Sequence, residues 1–302
     1  MIQTLLVGYG RFGKVYARRL AEHRAYHLAG VVELGSMLDE IRAAELRGFT
    51  DLTEAIDTTH PRLVVIATPP EEHARLGTYA LQRFCHVLMA KPGALGIDQA
   101  EQLSSIAWQR QRLLMVDYTP LMAEGWTQVQ KAAAGRHILS AKFVRKGQHR
   151  HQPCSVLYDL APHDVALALD LEPINFVTDI EAMGTFDDTQ QSMSSAHIHL
   201  THSSGRTTCI DVDWDSPTTE RTVEITQPGR VIKWDQIADT IGVSHDQDPF
   251  MQPVNATTDA VTARLDHVAR NLELQTSDDT QRLLDVTRIL DMAEHSIYAA
   301  TL

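Results

Sequence analysis

Cysteine is nearly missing from this 302-residue chain, and the three that occur, Cys85, Cys154 and Cys209, are too widely spaced for a disulfide framework or a zinc pattern. Lysine is scarce as well: only Lys14, Lys91, Lys131, Lys142, Lys146 and Lys233 stand among 27 cations, against 39 acids and a net charge of −12. That balance argues against a surface that coats nucleic acid, which needs cations to displace counterions. It leaves room for a local basic pocket. No apolar run approaches the roughly 18 residues of a membrane span. The start, Met1 running straight into Ile2-Gln3-Thr4-Leu5-Leu6-Val7, has neither a basic segment nor a cleavage site. A cytoplasmic protein with no membrane and no nucleic-acid partner is therefore expected. At 43% apolar and 22% charged, with no internal repeat or low-complexity linker, the chain is not fibrous, coiled-coil or disordered.

What is present has a two-part grammar, as about 150 residues per domain would suggest. Leu5–Val7, Leu28–Val32, Leu63–Ala67, His86–Met89 and Leu113–Val116 read as buried parallel strands. Between them Arg11–His23, Pro70–Phe84 and Ile97–Arg110 carry apolar residues at helical spacing. This predicts an α/β fold class, with a doubly wound parallel sheet over residues 1–117. Residues 118–302 predict an α+β substrate domain. It has a helix over Leu121–Ala134, a strand over Ile138–Val144, a helix from about Pro162 to Leu171, and then an open, largely antiparallel sheet to about Trp234. Turns at Ser203–Arg206 and Pro228–Arg230 join hairpins. Residues 236–256 read as an irregular loop. Two closing helices, Ala260–Leu272 and Asp278–Ala299, could pack back on the first domain.

Gly8-Tyr9-Gly10-Arg11-Phe12-Gly13 follows the first strand and opens the first helix. The first glycine makes the tight turn, the second admits a pyrophosphate to the backbone, and the third lets helix and strand pack. The anion then sits on unpaired N–H groups at the positive end of the helix dipole. Arg11 and Phe12 belong to the same candidate dinucleotide site. Glu33, ending the second strand, suits the hydroxyls of an adenosine ribose and repels a 2′-phosphate, which favours NAD; Arg11 and Ser36 keep NADP open. Thr68-Pro69, closing the third strand, is a second cofactor contact, and His73 is either a ligand contact or an exposed helix histidine.

Lys91-Pro92 and Asp159-Leu160-Ala161-Pro162-His163-Asp164, with the glycine loop and Thr68-Pro69-Pro70, make the chain resemble the Gfo/Idh/MocA family of glucose–fructose oxidoreductase and inositol dehydrogenase-like enzymes. The resemblance implies a Rossmann domain and NAD(P)-dependent hydride exchange with a carbinol or ketone of a sugar, inositol or nucleotide sugar. It puts Lys91, Asp159 and His163 in the catalytic positions, and Tyr118 near the substrate. Histidine titrates near working pH and suits the carbinol proton, so His163 is the acid/base. Lys91 would polarise the reacting oxygen. Asp159 would orient His163 or bind a neighbouring hydroxyl; because Pro162 disfavours helical angles at Ala161, Asp159 is expected just before the helix. The family glutamate before Lys-Pro is Ala90 here, which removes a possible cofactor contact.

Arg145, Lys146 and Arg150 lie in the densest basic stretch, Arg145–His151, which suits a phosphate or carboxylate of an anionic substrate, or is a plain surface loop. His197, His199 and His202 invite a metal reading, but no metal is expected, since no further ligand lies close in sequence and the chain holds 15 histidines. The family resemblance implies a homodimer or homotetramer through the late sheet. Two alternatives stand beside the dehydrogenase: a catalytically silent NAD(P)-binding regulator, towards which Ala90 leans, and an enzyme that uses NAD only transiently.

Overall fold

A computed structural model describes residues 1–33, 35–148, 154–187, 192–245, 250–277 and 279–301. The chain divides into two compact units, one of Met1–Asp117 with Val261–Leu284 and one of Tyr118–Ala260 with Asp285–Leu302.

The first unit is built on six parallel strands, β1 (Ile2–Val7), β2 (Tyr26–Val32), β3 (Gly48–Phe49), β4 (Leu63–Ile66), β5 (His86–Ala90) and β6 (Leu114–Asp117). Their order is β3-β2-β1-β4-β5-β6, so the winding reverses between β1 and β4. Ligands of such sheets bind beyond the carboxyl ends of the strands at that reversal. Helices α1 (Arg11–Glu22), α2 (Leu38–Ala43), α3 (Leu52–Thr59), α4 (His73–Gln82) and α5 (Ile97–Arg110) make the crossovers. The buried runs of β4 and β5 explain why their sequences read as continuous apolar strands rather than alternating ones. Between β2 and β4, where the sequence reading assigns no element, the chain holds α2, β3 and α3. Helix α3 is announced by Asp51, whose carboxylate accepts from the Glu54 N–H at 2.8 Å as an N-cap.

The C-terminal helix α8 (Ala260–Leu274) completes this unit's core. Leu265, Val268 and Leu272, at helical spacing on one stripe, are buried with Leu6, Leu20, Leu63 and Met115. Arg264 is buried beside them, donating to the Val116 carbonyl at 2.8 Å and pairing with Asp279 at 2.6 Å. Asp279 opens the last helix, α9 (Asp279–Thr301).

The second unit has one eight-stranded sheet. Its strands are β7 (Ser140–Lys146), β8 (Val177–Asp187), β9 (Ser192–His202), β10 (Thr207–Asp213), β11 (Glu220–Gln227), β12 (Arg230–Asp235), β13 (Thr240–Ser244) and β14 (Gln252–Pro253). The order β14-β13-β12-β11-β7-β10-β9-β8 is antiparallel throughout except for the parallel β7/β10 pair. Helices α6 (Glu124–Ala133) and α7 (Val156–Leu171) pack on the sheet. Both hairpin turns lie where the sequence puts them, β9 to β10 and β11 to β12.

Three sequence expectations are corrected. Residues 236–256 are not all loop, because β13 and β14 form there. In β13 the buried positions are Gly242 and Ser244 while Val243 is exposed, so the usual apolar-inward alternation is inverted and the strand leaves no pattern to read. The strand expected to end at Val144 runs on through Arg145 and Lys146. Helix α7 begins at Val156 rather than near Pro162, placing Asp159 inside its first turn and Pro162 in its interior. An interior proline costs about 3 kcal/mol. Val156, Leu157, Leu160, Val165, Leu167 and Leu169 of the same helix are all buried. At about 1.5–3 kcal/mol for each such side chain, burial outweighs the proline several times over.

Candidate active site

In the first unit the glycine loop has the shape that an anion-binding turn requires. Gly8 sits at φ +96°, and a Cβ there would lie 2.6 Å from the Ala67 carbonyl oxygen. A Cβ on Gly13 would lie 2.2 Å from the Gly8 carbonyl oxygen, yet one on Gly10 would meet nothing within 4 Å. The outer glycines thus let the chain approach itself, and the middle one leaves its backbone open. Gly10 is also the N-cap of α1 and supplies no side-chain cap, so the first N–H groups of the helix keep their capacity for an anion. Phe12 is exposed and packs edge-on to Tyr16, and Arg11 is exposed.

Glu33 closes β2 beside this loop, its Oε2 accepting from the Tyr9 backbone N–H at 2.5 Å. The acid expected at the ribose end is therefore next to the phosphate loop. Beyond β4, Thr68 Oγ1 is buried with no partner among the described residues, and Pro69 is exposed. These features suit a dinucleotide: an open backbone cradle, an acid beside it and an orphaned hydroxyl at the strand reversal. Lys91 is half-buried in the turn after β5, which carries a cis Lys91–Pro92 peptide, and Ala90 pairs with Asp117 across β5 and β6. Asp117 is buried and accepts from Tyr16 Oη at 2.5 Å, which with burial raises the Tyr16 pKa.

His73 overturns both readings offered for it. It is neither exposed nor open to a ligand, because its ring is fully buried with both nitrogens on backbone carbonyls, Nδ1 to Pro92 at 2.7 Å and Nε2 to Thr68 at 2.9 Å.

In the second unit, α7 carries Asp159 and His163 one turn apart, so they share a helix face. Trp214, at the end of β10, donates its indole N–H to Asp159 Oδ2 at 3.0 Å. The Tyr118 and His163 rings meet edge-to-face with centroids 6.5 Å apart. Asp164, the next residue, is fully buried and held by Arg145 through two bonds of 2.8 Å each.

That last contact corrects the anion-grip reading of Arg145. Its guanidinium is buried on Asp164, with a third bond to Gln236 at 3.3 Å, because β7 continues through it and turns its side chain inward. Lys146, half-buried, lines a cavity of about 220 Å³ with His197, Asp211 and Asp213. Arg150 lies outside the described residues. His197 bonds Asp211 at 2.5 Å, while His202 is buried against Thr208 and Arg206. Among the described residues no three His, Cys, Asp or Glu side chains are placed to hold a metal ion. No helix among them is long and apolar enough to cross a membrane.

Sequence reading missed Trp214 and the Arg145–Asp164 pair. Only the paired strand β7 and helix α7 bring the second together, and no local motif announces the first.

Residues 2–118 match the model of the oxidoreductase family with an NAD-binding Rossmann fold, GFO_IDH_MocA. The UDP-N-acetylglucosamine 3-dehydrogenase of Acidithiobacillus ferrooxidans is 27% identical over 189 residues, covering 61% of this chain and 58% of that protein. The chain spans about half the length of the curated relatives it matches, 58%, 51% and 47%. A solved structure of the Acidithiobacillus enzyme superposes with a TM-score of 0.87 at 20% identity, covering 99% of this chain and 98% of that one. The biliverdin reductase of Synechocystis, solved with biliverdin and NADP+, shares the fold with a TM-score of 0.83 at 17% identity, over 98% of this chain and 99% of its own. With its glycine loop and strand order, the N-terminal part of this chain, residues 2–118, is similar to the NAD-binding Rossmann domain of the Gfo/Idh/MocA oxidoreductases.

Proposed function

We propose that the protein is an NAD(P)-dependent dehydrogenase or reductase acting on a carbinol or ketone of a sugar-like substrate, with nucleotide sugars the first class to test. The observation that carries this reading is the α7 face bearing Asp159 and His163, with Asp159 fixed by Trp214. A bound nicotinamide supplies the hydride acceptor or donor; the chain's own residues handle the proton and the oxygen. His163 takes the hydroxyl proton in oxidation and returns it in reduction. Lys91 donates to the reacting oxygen and stabilises its developing charge. Asp159, held by the Trp214 indole, orients His163 or binds a neighbouring substrate hydroxyl.

Glu33 supports NAD over NADP, because a carboxylate beside the phosphate loop repels a 2′-phosphate. Of the basic stretch's Arg145, Lys146 and Arg150, the first is committed to Asp164 and the last lies outside the described residues, which leaves Lys146 as the candidate for a substrate anion. Self-association as a homodimer or homotetramer through the eight-stranded sheet is part of the same reading, checked by light scattering.

The test is absorbance at 340 nm with NAD or NADP and a panel of inositols, sugars and nucleotide sugars. Turnover with a nucleotide sugar and NAD supports the proposal. Tight NAD binding with no turnover across the panel favours the silent regulator, and product formation without net NADH favours transient use of the cofactor.

A further inference from the structure

His73 stands at a junction that the catalytic reading leaves unused. It is the first residue of α4, and its imidazole is enclosed between two turns of the first unit. One turn, Thr68-Pro69, leaves β4 at the strand reversal beside the cofactor cradle. The other, Lys91-Pro92, leaves β5 and carries the lysine assigned to the reacting oxygen. The ring spans the two, with Nδ1 on the Pro92 carbonyl at 2.7 Å and Nε2 on the Thr68 carbonyl at 2.9 Å.

Both partners are acceptors only, and a neutral imidazole has a single N–H. Burial opposes the charged ring and lowers its basicity, while the two carbonyls favour it. A side chain kept in this conflict, with no solvent around it, has a task other than filling space. An apolar side chain would fill the same volume without the polar burial cost.

We propose that His73 is a positioning residue that ties the Thr68 turn to the Lys91-Pro92 turn. It thereby fixes the backbone from which Lys91 extends relative to the cofactor-binding edge of β4. The role of Lys91 rests on the function proposed above; the tie between the two turns does not. Replacing His73 with leucine removes the ring's polar contacts with both turns and keeps the bulk. Replacing it with glutamine keeps an amide with two N–H donors.

The experiment compares wild type, His73→Leu and His73→Gln by amide hydrogen exchange, NAD titration and thermal melting. In His73→Leu, exchange should rise at amides 67–68 and 93–94 together and stay at wild-type levels in β1 and α5. NAD affinity should fall about tenfold, the loss of roughly one buried hydrogen bond. His73→Gln should recover at least half of both effects. Where a substrate is in hand, kcat should fall more than substrate KM rises.

Unchanged exchange at both turns would overturn the proposal, as would a rise spread evenly over the whole unit, which marks mere loss of stability. Failure of glutamine to recover anything would also overturn it. If no substrate turns over, the catalytic reading fails while exchange and NAD titration still decide the tie.

Discussion

The two units build their sites from different materials. In the first, the cradle is backbone: three glycines, a helix N-terminus without a side-chain cap, and turns at the ends of β1 and β4. In the second, the candidate site is made of side chains of one helix, α7, whose two acids are held by residues distant in sequence, Trp214 for Asp159 and Arg145 for Asp164. Backbone sites are written locally, because a turn with positive φ or a close approach demands glycine at a fixed offset. Side-chain sites are written in the tertiary fold, because the tether comes from wherever the sheet brings a strand past the helix.

The largest effect expected is in the second unit. Arg145→Met leaves Asp164 charged, fully buried and unpaired, and should cost about 3–5 kcal/mol in denaturant unfolding. The double change with Asp164→Leu should recover most of it. If the single change costs no more than the double, the ion pair does not hold α7 in place.

The first unit should break at its backbone instead. Gly13→Ala forces a Cβ to 2.2 Å from the Gly8 carbonyl oxygen, against main chain that has nothing flexible to yield. It should cost about 1–3 kcal/mol and abolish NAD binding in a fluorescence titration. Wild-type affinity would mean that the loop is not the phosphate site.

Acid should act on both units through one buried histidine in each. Burial first, then Arg112 and Arg62, pushes His86 down to about 4; burial first, then Arg206, pushes His202 down to about 4. Each is neutral in the fold, and His86 Nδ1 accepts from the Leu113 N–H at 2.9 Å, a bond that protonation breaks. The unfolded chain therefore binds more protons below its ordinary histidine pKa, and stability falls as pH drops from about 6.5 towards 4. At pH 5 each residue should remove about 2 kcal/mol. The melting temperature should fall between pH 7 and pH 5, and His86→Asn, which keeps an acceptor, should flatten that slope. An unchanged slope would refute the assignment.

The smallest effect expected is at Trp214. Trp214→Phe removes one hydrogen bond to a carboxylate, about 1.5–3 kcal/mol at most, and half of that once water reaches Asp159. The signature is kinetic: kcat falls and its pH profile shifts, with NAD affinity unchanged. Equal loss of NAD affinity would make Trp214 merely structural.

Most of the first unit was legible in the sequence, because parallel strands buried on both faces and an apolar helix stripe leave unmistakable runs. Ile97–Arg110 is a helix over the residues its spacing indicates. The short elements α2, β3 and α3 were not read, although Asp51 and Glu54 spelled a helix start. In the second unit Pro162 misled: its local preference is real, but α7 is buried along nearly its whole length and packing prevails. His73 misled for the opposite reason. Nothing in a sequence distinguishes an imidazole facing solvent from one enclosed between two carbonyls 24 residues apart in the chain.

The central claim is that His163 moves the proton in an NAD-linked oxidation, and one measurement tests it most directly. Wild type and His163→Asn are compared at 340 nm on a substrate found by the panel, with NAD affinity measured in parallel. The account predicts unchanged NAD affinity and a kcat lower by about 10²–10⁴-fold, the usual worth of a general base. Turnover of His163→Asn at the wild-type rate would contradict it.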